Sequence, residues 1–184
     1  MHTSIEQIVN QVKRVVESNK RSEIRLNANG GNSILLVCPP DQEDSYIDTI
    51  KNTMGPEIYK IIDLNTILVT YVQDNKKEID ESFELLKGSV HQIFKAPEGE
   101  VGPDLFSCIM NEISDSFNAD RIPVLINTGS LYGSDIENIH IMESEVVMKS
   151  SIPLVVLYPG TKEGDHIMFL SVRPASKYRC MIVN

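Results

Sequence analysis

Apolar residues along the chain occur in two spacings, and these spacings predict different elements. Short β-prone runs of four to six residues are typical of strands that a sheet buries. These runs are 33–38, 58–62, 122–127 and 154–157. Elsewhere apolar residues recur every three or four positions, which predicts helices with one buried face. These helices are 4–18, 41–52, 64–72, 76–94, 103–117 and 135–148.

Strands that alternate with helices predict an α/β fold, a three-layer α/β/α arrangement with a mostly parallel central sheet. Residues 64–72 are rich in β-branched side chains that also suit a strand, but their spacing favours a helix. Thr3 and Glu6 form a capping-box pattern at the start of the first helix. Residues 19–33 are polar, hold Gly30 and Gly31, and are interpreted as a loop.

Two β-prone runs near the C-terminus, 167–172 and 178–183, are separated by Pro174, Ala175 and Ser176. This pattern predicts a C-terminal antiparallel hairpin at one edge of the sheet. The 184 residues contain no internal repeat and no linker, so we expect a single domain. Its parts are an N-terminal helix (1–20), strand–helix units (33–160) and the terminal hairpin (166–183).

The composition and charge exclude several classes of protein. Hydrophobic residues make up 41% of the chain, which is enough for a packed core. The longest apolar runs fall far short of the roughly 20 residues of a membrane helix, and no basic-then-apolar signal segment opens the chain. We therefore expect a cytoplasmic protein. The formal net charge of −9 opposes non-specific attraction to nucleic acid and to anionic membranes.

The cysteines and histidines do not form a metal-binding pattern. Three cysteines, Cys38, Cys108 and Cys180, are far apart and lie in apolar surroundings, which is typical of reduced core thiols. The four histidines are scattered, and His140 with Glu143 is too small a pair to specify a metal. We expect no metal ion and no cofactor.

The glycine-containing and serine-containing loops do not match a catalytic motif. Gly129 and Gly133 lack the lysine of a phosphate-binding P-loop. The segment Thr128–Gly133 also departs from the Gly-x-Ser-x-Gly elbow that exposes a nucleophile, and Ser134 suits a helix cap. The sequence therefore predicts a protein that is not an enzyme.

Ligands of parallel sheets usually bind beyond the carboxyl ends of the strands, here 39–43, 128–134 and 158–165. Asp41, Glu43 and Asp44 in the first loop resemble an acidic metal-binding loop, but the helix dipole favours acids at a helix start without any ligand. These strand-end loops are candidate contact surfaces. Basic residues in the last segment suit an acidic protein or a phosphate backbone, but charges on an edge strand also prevent aggregation. The candidate partner-binding residues are Asp41, Glu43, Tyr132, Tyr158, Lys162, Arg173, Lys177, Tyr178 and Arg179.

Three segments in order carry a resemblance to a known family. They are Cys38–Asp44 (CPPDQED), Leu125–Tyr132 (LINTGSLY) and Pro153–Gly160 (PLVVLYPG). Together they resemble the BrxB family of bacteriophage-exclusion (BREX) defence systems, over about residues 33 to 183. The Tyr178-Arg179 pair is similar to the family's usual ending. The chain departs from the family at 171–173, where Ser-Val-Arg replaces a frequent Gly-Arg, and at Lys177, which replaces the first tyrosine of a pair.

The resemblance implies a small accessory protein without established catalysis, encoded beside a PglZ-type alkaline-phosphatase-like protein that it is expected to bind. A larger defence complex is a further partner that the resemblance implies. The family provides no catalytic residues to transfer to this chain. Two alternatives remain open from the residues alone. One is a nucleotide-binding module with its site at the strand ends. The other is a nucleic-acid-binding component that uses Lys162, Arg173, Lys177 and Arg179.

Overall fold

A parallel sheet forms the centre of the computed structural model, which describes residues 4–18, 21–96, 104–163, 166–175 and 178–184. Five strands lie in the order β2-β3-β4-β1-β7, and all neighbours in this order are parallel. The described strands are β1 (Ser33–Cys38), β2 (Tyr59–Asp63), β3 (Ile122–Ile126), β4 (Leu154–Glu163), β5 (His166–Phe169), β6 (Arg173–Pro174) and β7 (Met181–Val183).

Helices cover both faces of this sheet. The described α-helices are α1 (Ile5–Glu17), α2 (Arg21–Asn27), α3 (Glu43–Thr53), α4 (Leu64–Asp74), α5 (Lys76–Leu85), α6 (Leu105–Asn118), α7 (Asn138–Met142) and α8 (Glu145–Lys149). Short 3-10 turns occur at Pro40–Gln42, Val90–Ile93 and Thr128–Leu131. The three-layer α/β fold with a mostly parallel central sheet and an antiparallel hairpin near the C-terminus is confirmed.

The strand β1 lies between β4 and β7, and all six of its residues are buried. Because successive side chains of a strand point to opposite faces, its residues divide between two cores. Ile34 and Leu36 pack in the core beneath α1 and α3, whereas Leu35 and Val37 pack in the core that contains residues of α4 and α6. The continuous apolar run in the sequence is thus explained by burial on both faces.

Three predicted elements were wrong in extent. Residues 19–33 are not wholly a loop, because α2 forms there and buries Ile24. The expected helix over 76–94 ends with α5, which has no buried residue, and a 3-10 turn follows. The expected helix over 135–148 is two short helices, because Ser144 caps a new helix by accepting a hydrogen bond from the backbone of Val147 (3.4 Å).

The predicted caps also differ in position. The side chain of Ser4 accepts a hydrogen bond from the Gln7 backbone (3.2 Å), and the Gln7 side chain accepts one from the Ser4 backbone (3.0 Å). The capping pair is therefore one residue later than predicted, and Thr3 itself lies outside the described residues. Ser134 closes a turn instead of capping a helix, because its hydroxyl donates to the Leu131 carbonyl at 2.7 Å.

The hairpin uses different strands from those predicted. The strand β4 continues beyond the sheet, pairs antiparallel with β5, and β5 in turn pairs antiparallel with β6. The second β-prone run does not complete this hairpin, because β7 pairs parallel with β1 at the sheet edge. Gly31 allows the segment that leads to β7 to pass close to the start of β1, since a Cβ atom at this position would lie 1.7 Å from the carbonyl oxygen of Arg179.

A buried asparagine joins the start of β1 to the segment before β4. The amide nitrogen of Asn32 lies 2.9–3.0 Å from the carbonyl oxygens of Val147, Ser150 and Ile152. These bonds fix the start of β1 to the backbone that leads into β4. In the part of the chain that the structure describes, no helix has the length and apolar character needed to cross a membrane.

Candidate functional site

An aromatic cluster lies where β4 leaves the parallel sheet. The ring of Tyr158 is buried, with its centroid 4.8 Å from that of Phe169 and 5.8 Å from that of Tyr178. The two tyrosine hydroxyl oxygens are 3.1 Å apart and share a hydrogen bond. Burial, followed by this hydrogen bond, raises the pKa of Tyr158 well above its usual range. Tyr158 is therefore a neutral, fixed wall.

This cluster borders a small pocket between the turn after β3 and the hairpin. Its volume is about 40 Å³. We call it the tyrosine pocket, and its walls include Tyr132, Asn138, Tyr158, Phe169, Arg173 and Tyr178. Tyr132 lies at the surface with 56% of its area exposed. The pocket therefore has both a buried aromatic wall and an aromatic side chain that a partner can reach.

Charged side chains line the same pocket. Asp135 and Glu137 contribute two carboxylates, and Arg173 contributes a guanidinium that forms an ion pair with Glu137. The Arg173 side chain is 56% exposed and that of Glu137 is 29% exposed. An ion pair this open to water contributes little to stability. Glu137 can therefore exchange Arg173 for another cationic partner at a small cost in free energy.

One wall of the tyrosine pocket holds an unused hydrogen-bond acceptor. Asn138 is 5% exposed, and its side-chain oxygen is buried without a hydrogen-bond partner. Buried polar atoms of folded proteins are nearly always hydrogen-bonded, so each exception is informative. This oxygen favours a ligand that donates hydrogen bonds.

The C-terminal segment is attached beside the pocket by a second ion pair. The guanidinium of Arg179 donates to Glu143 at 3.0 Å, and the Arg179 backbone donates to the same carboxylate at 3.3 Å. These hydrogen bonds hold the pKa of Glu143 below its usual range. Arg179 therefore connects the segment before β7 to the end of α7.

A histidine supports the wall of the pocket from behind. The Nδ1 atom of His140 accepts hydrogen bonds from the backbone of Glu137 and from the Lys95 ammonium, both at 3.1 Å. Burial and the Lys95 charge lower the pKa of His140, which keeps the ring neutral and able to accept. The start of α7, and with it Glu137, depends on this neutral ring.

A separate polar cluster lies at the carboxyl ends of the first three strands. An oxygen of Glu43 is buried without a partner, and burial followed by the Asp44 and Asp63 charges raises the pKa of this carboxyl. Asp63 accepts a hydrogen bond from the Asn127 amide at 2.9 Å. Within the described ranges, no three His, Cys, Asp or Glu residues are placed to hold a metal ion.

A larger groove runs beside the edge strand β2. Its volume is about 490 Å³, and α4 and α6 provide much of its lining. Three of the lining residues are acidic (Asp63, Asp74 and Glu112), and none of those described is basic. These charges disfavour a phosphate-bearing ligand.

The structure brings together only part of the predicted partner-binding set. Tyr132, Tyr158, Arg173 and Tyr178 all line the tyrosine pocket. Arg179 is beside it through Glu143.

The other predicted residues do not line this pocket. Asp41 is exposed and Glu43 half-buried, both at the turn after β1, and Lys162 is exposed on β4. Lys177 lies outside the described residues.

The sequence-based prediction missed other lining residues, among them Asp135, Glu137, Asn138 and Phe169. Asp135 and Glu137 follow Tyr132 closely in a strand-end loop, which was a usable signal for the acidic side of the pocket. No local signal marked Asn138, because its importance comes from an unsatisfied oxygen that only the packed structure defines.

Comparison of the chain with protein-family models, with curated proteins and with solved structures gives no match. The fold and the site geometry therefore carry the functional argument.

Proposed function

We propose that this chain is a non-catalytic adaptor of a BREX-like anti-phage defence system in the cytoplasm. It binds a PglZ-type alkaline-phosphatase-like partner, and the tyrosine pocket with the adjacent hairpin forms the contact surface. The proposal combines the family resemblance of the sequence with the position of the residues that carry it.

The observation that carries the proposal is that two of the three BrxB-like segments meet the Tyr-Arg ending at one pocket, whereas the CPPDQED segment does not line it. Tyr132 comes from the LINTGSLY segment, Tyr158 from the PLVVLYPG segment, and Tyr178 from the Tyr-Arg ending. These segments resemble the BrxB family, and each contributes a tyrosine to the same surface. Tyrosine and arginine are the side chains most often found at the energetic centres of protein interfaces.

The size of the pocket favours a protein contact over a metabolite. Small-molecule sites typically enclose hundreds of cubic ångströms, whereas the tyrosine pocket measures about 40 Å³. A space of this size accepts the end of one side chain from a partner. The exposed Tyr132 beside the pocket then provides contact area around the inserted side chain of the partner.

Charge weighs against the two alternative functions. Arg173 and Arg179 are each paired with a glutamate, which reduces the positive potential available to a phosphate backbone. The larger groove beside β2 is lined by acids, which disfavours a nucleotide. A protein partner is compatible with both features.

Co-expression tests the proposal directly. The affinity-tagged chain is produced together with the PglZ-type protein encoded beside it, and the two are separated by size-exclusion chromatography. We expect co-elution as one complex. Separate elution of two folded proteins would contradict the proposal.

A further inference from the structure

We propose that the tyrosine pocket is a receptor for a guanidinium group, and that its occupant in a complex is an arginine side chain of the partner protein. The identity of the partner rests on the proposed function. The chemistry of the pocket is argued from this chain alone and can be tested on it alone.

The pocket wall contains a hydrogen-bond acceptor that has no partner. The side-chain oxygen of Asn138 is buried in the pocket wall without a partner, so a suitable occupant donates a hydrogen bond. An arginine guanidinium carries five N–H donors and no acceptor. An anionic occupant would leave this oxygen unsatisfied.

The aromatic lining of the pocket favours a cation. Four aromatic residues, Tyr132, Tyr158, Phe169 and Tyr178, line this one small space. Aromatic faces attract cations, and a planar guanidinium also stacks on them. A neutral donor would satisfy Asn138 but would gain less from these rings.

The charged side chains that line the pocket also favour a cation. Among the residues that the structure describes, two carboxylates, Asp135 and Glu137, line the pocket with one cation, Arg173. Arg173 already pairs its guanidinium with Glu137 at the edge of the pocket. Because more than half of the Arg173 side chain is exposed, it can turn into water when an arginine of the partner takes its place.

The size of the pocket fits this occupant. Its space of about 40 Å³ is far below the hundreds of cubic ångströms that are typical of small-molecule sites. The end of one arginine side chain is of this scale. A nucleoside or a sugar is not.

The test titrates the isolated full chain with N-acetyl-arginine amide and follows backbone amide signals by NMR. N-acetyl-citrulline amide is the matched control probe, because it has nearly the same shape without the charge. We expect saturable shifts at residues of the tyrosine pocket with the arginine probe, and none with the citrulline probe. No saturable shift at the pocket with the arginine probe would overturn the inference.

Two variants are expected to change the affinity for the arginine probe in opposite directions. These directions distinguish a cation site from an anion site. Arg173→Ala removes the internal competitor and should tighten binding of the arginine probe by up to about fivefold, the range of an exposed ion pair. Glu137→Gln should weaken it by a similar factor. Lys149→Ala is the control, because it changes the net charge as Arg173→Ala does and also removes an exposed pair with a glutamate, but lies outside the pocket lining.

An anion site would behave in the reverse way. If inorganic phosphate saturates the pocket and Arg173→Ala abolishes its binding, the inference is overturned. Thermal unfolding of each variant confirms that the compared proteins are folded.

The outcome is separable from that of the proposed function. If the chain binds its partner but not the arginine probe, the adaptor role stands and the pocket chemistry is wrong. If it binds the arginine probe but not the PglZ-type protein, the pocket chemistry stands and the partner is wrong.

Discussion

Two buried asparagines use their side chains differently. The amide nitrogen of Asn32 lies within hydrogen-bond distance of three carbonyl groups around the start of β4, and the residue is 3% exposed. Asn138 is equally buried but leaves its side-chain oxygen without a partner. The first residue therefore supports the fold, whereas the second lines the tyrosine pocket with an unpaired oxygen.

The burial of the three cysteines predicts how fast each thiol reacts. Burial raises the pKa of Cys38 and of Cys180 to about 12, with Glu43 and Glu143 as second causes. Only about one thiol in ten thousand is then ionised at pH 8, and the thiolate is the reactive form. Cys108 is half-buried. In the folded protein, a thiol-reactive dye should label Cys108 first and the other two slowly.

The control for this prediction is Cys108→Ser, which should remove the early phase and leave the slow one. All three thiols should react rapidly in denaturant. Rapid labelling of Cys38 or Cys180 in the folded protein would show that the burial described here is wrong.

At the scale of whole elements, the sequence predicted the strands of the sheet better than the helices around it. Buried strands are continuous apolar runs, and this signal is local. α2 was missed because Ile24 is its buried apolar residue while Leu26 is 78% exposed, so no periodic stripe appears. The pairing of β7 was missed because its partner, β1, lies far away in the sequence.

The turn before β1 provides a prediction about the pairing of β7 with β1. Gly31→Ala places a Cβ atom against the Arg179 carbonyl, so the segment leading to β7 must move. We expect a loss of about 1–3 kcal/mol in the free energy of unfolding, measured by urea denaturation. Faster amide exchange in β7 should accompany it.

Gly88→Ala is the matched control, because a Cβ atom there meets nothing within 4 Å. Its unfolding free energy should be close to that of the parent protein. Equal stability of both variants would mean that the C-terminal segment does not pass over Gly31.

The start of α7 provides a prediction about pH. The pKa of His140 is lowered in the folded protein, so the unfolded chain takes up a proton first as the pH falls. The free energy of unfolding should therefore decrease below the ordinary histidine pKa of about 6.5 and level off once the folded protein is also protonated. Chemical denaturation over pH 5 to 8 measures this.

His140→Gln removes the titrating group and provides the control. This component of the pH dependence should disappear in the variant. A variant with the same pH profile as the parent protein would show that the neutral His140 ring does not support α7.

At the scale of the whole molecule, the sequence predicted the members of the site but not their grouping. Tyr132, Tyr158, Arg173 and Tyr178 were identified because of strand-end positions and a family-like ending. Asp41 and Glu43 were placed in the same set, although they lie at the turn after β1 and do not line the tyrosine pocket. Which strand ends share a surface depends on strand order, and strand order is a property of the folded chain.

The central claim is that this surface binds a PglZ-type partner, and the affinity of that complex tests it most directly. Tyr132→Ala removes an exposed pocket side chain, and Phe83→Ala removes a comparably exposed ring on α5. Biolayer interferometry compares the dissociation constants of both variants with that of the parent protein. We predict at least about tenfold weaker binding for Tyr132→Ala, as for an interface hot spot, and no change for Phe83→Ala. Unchanged affinity of Tyr132→Ala, or no measurable complex with the parent protein, would contradict the account.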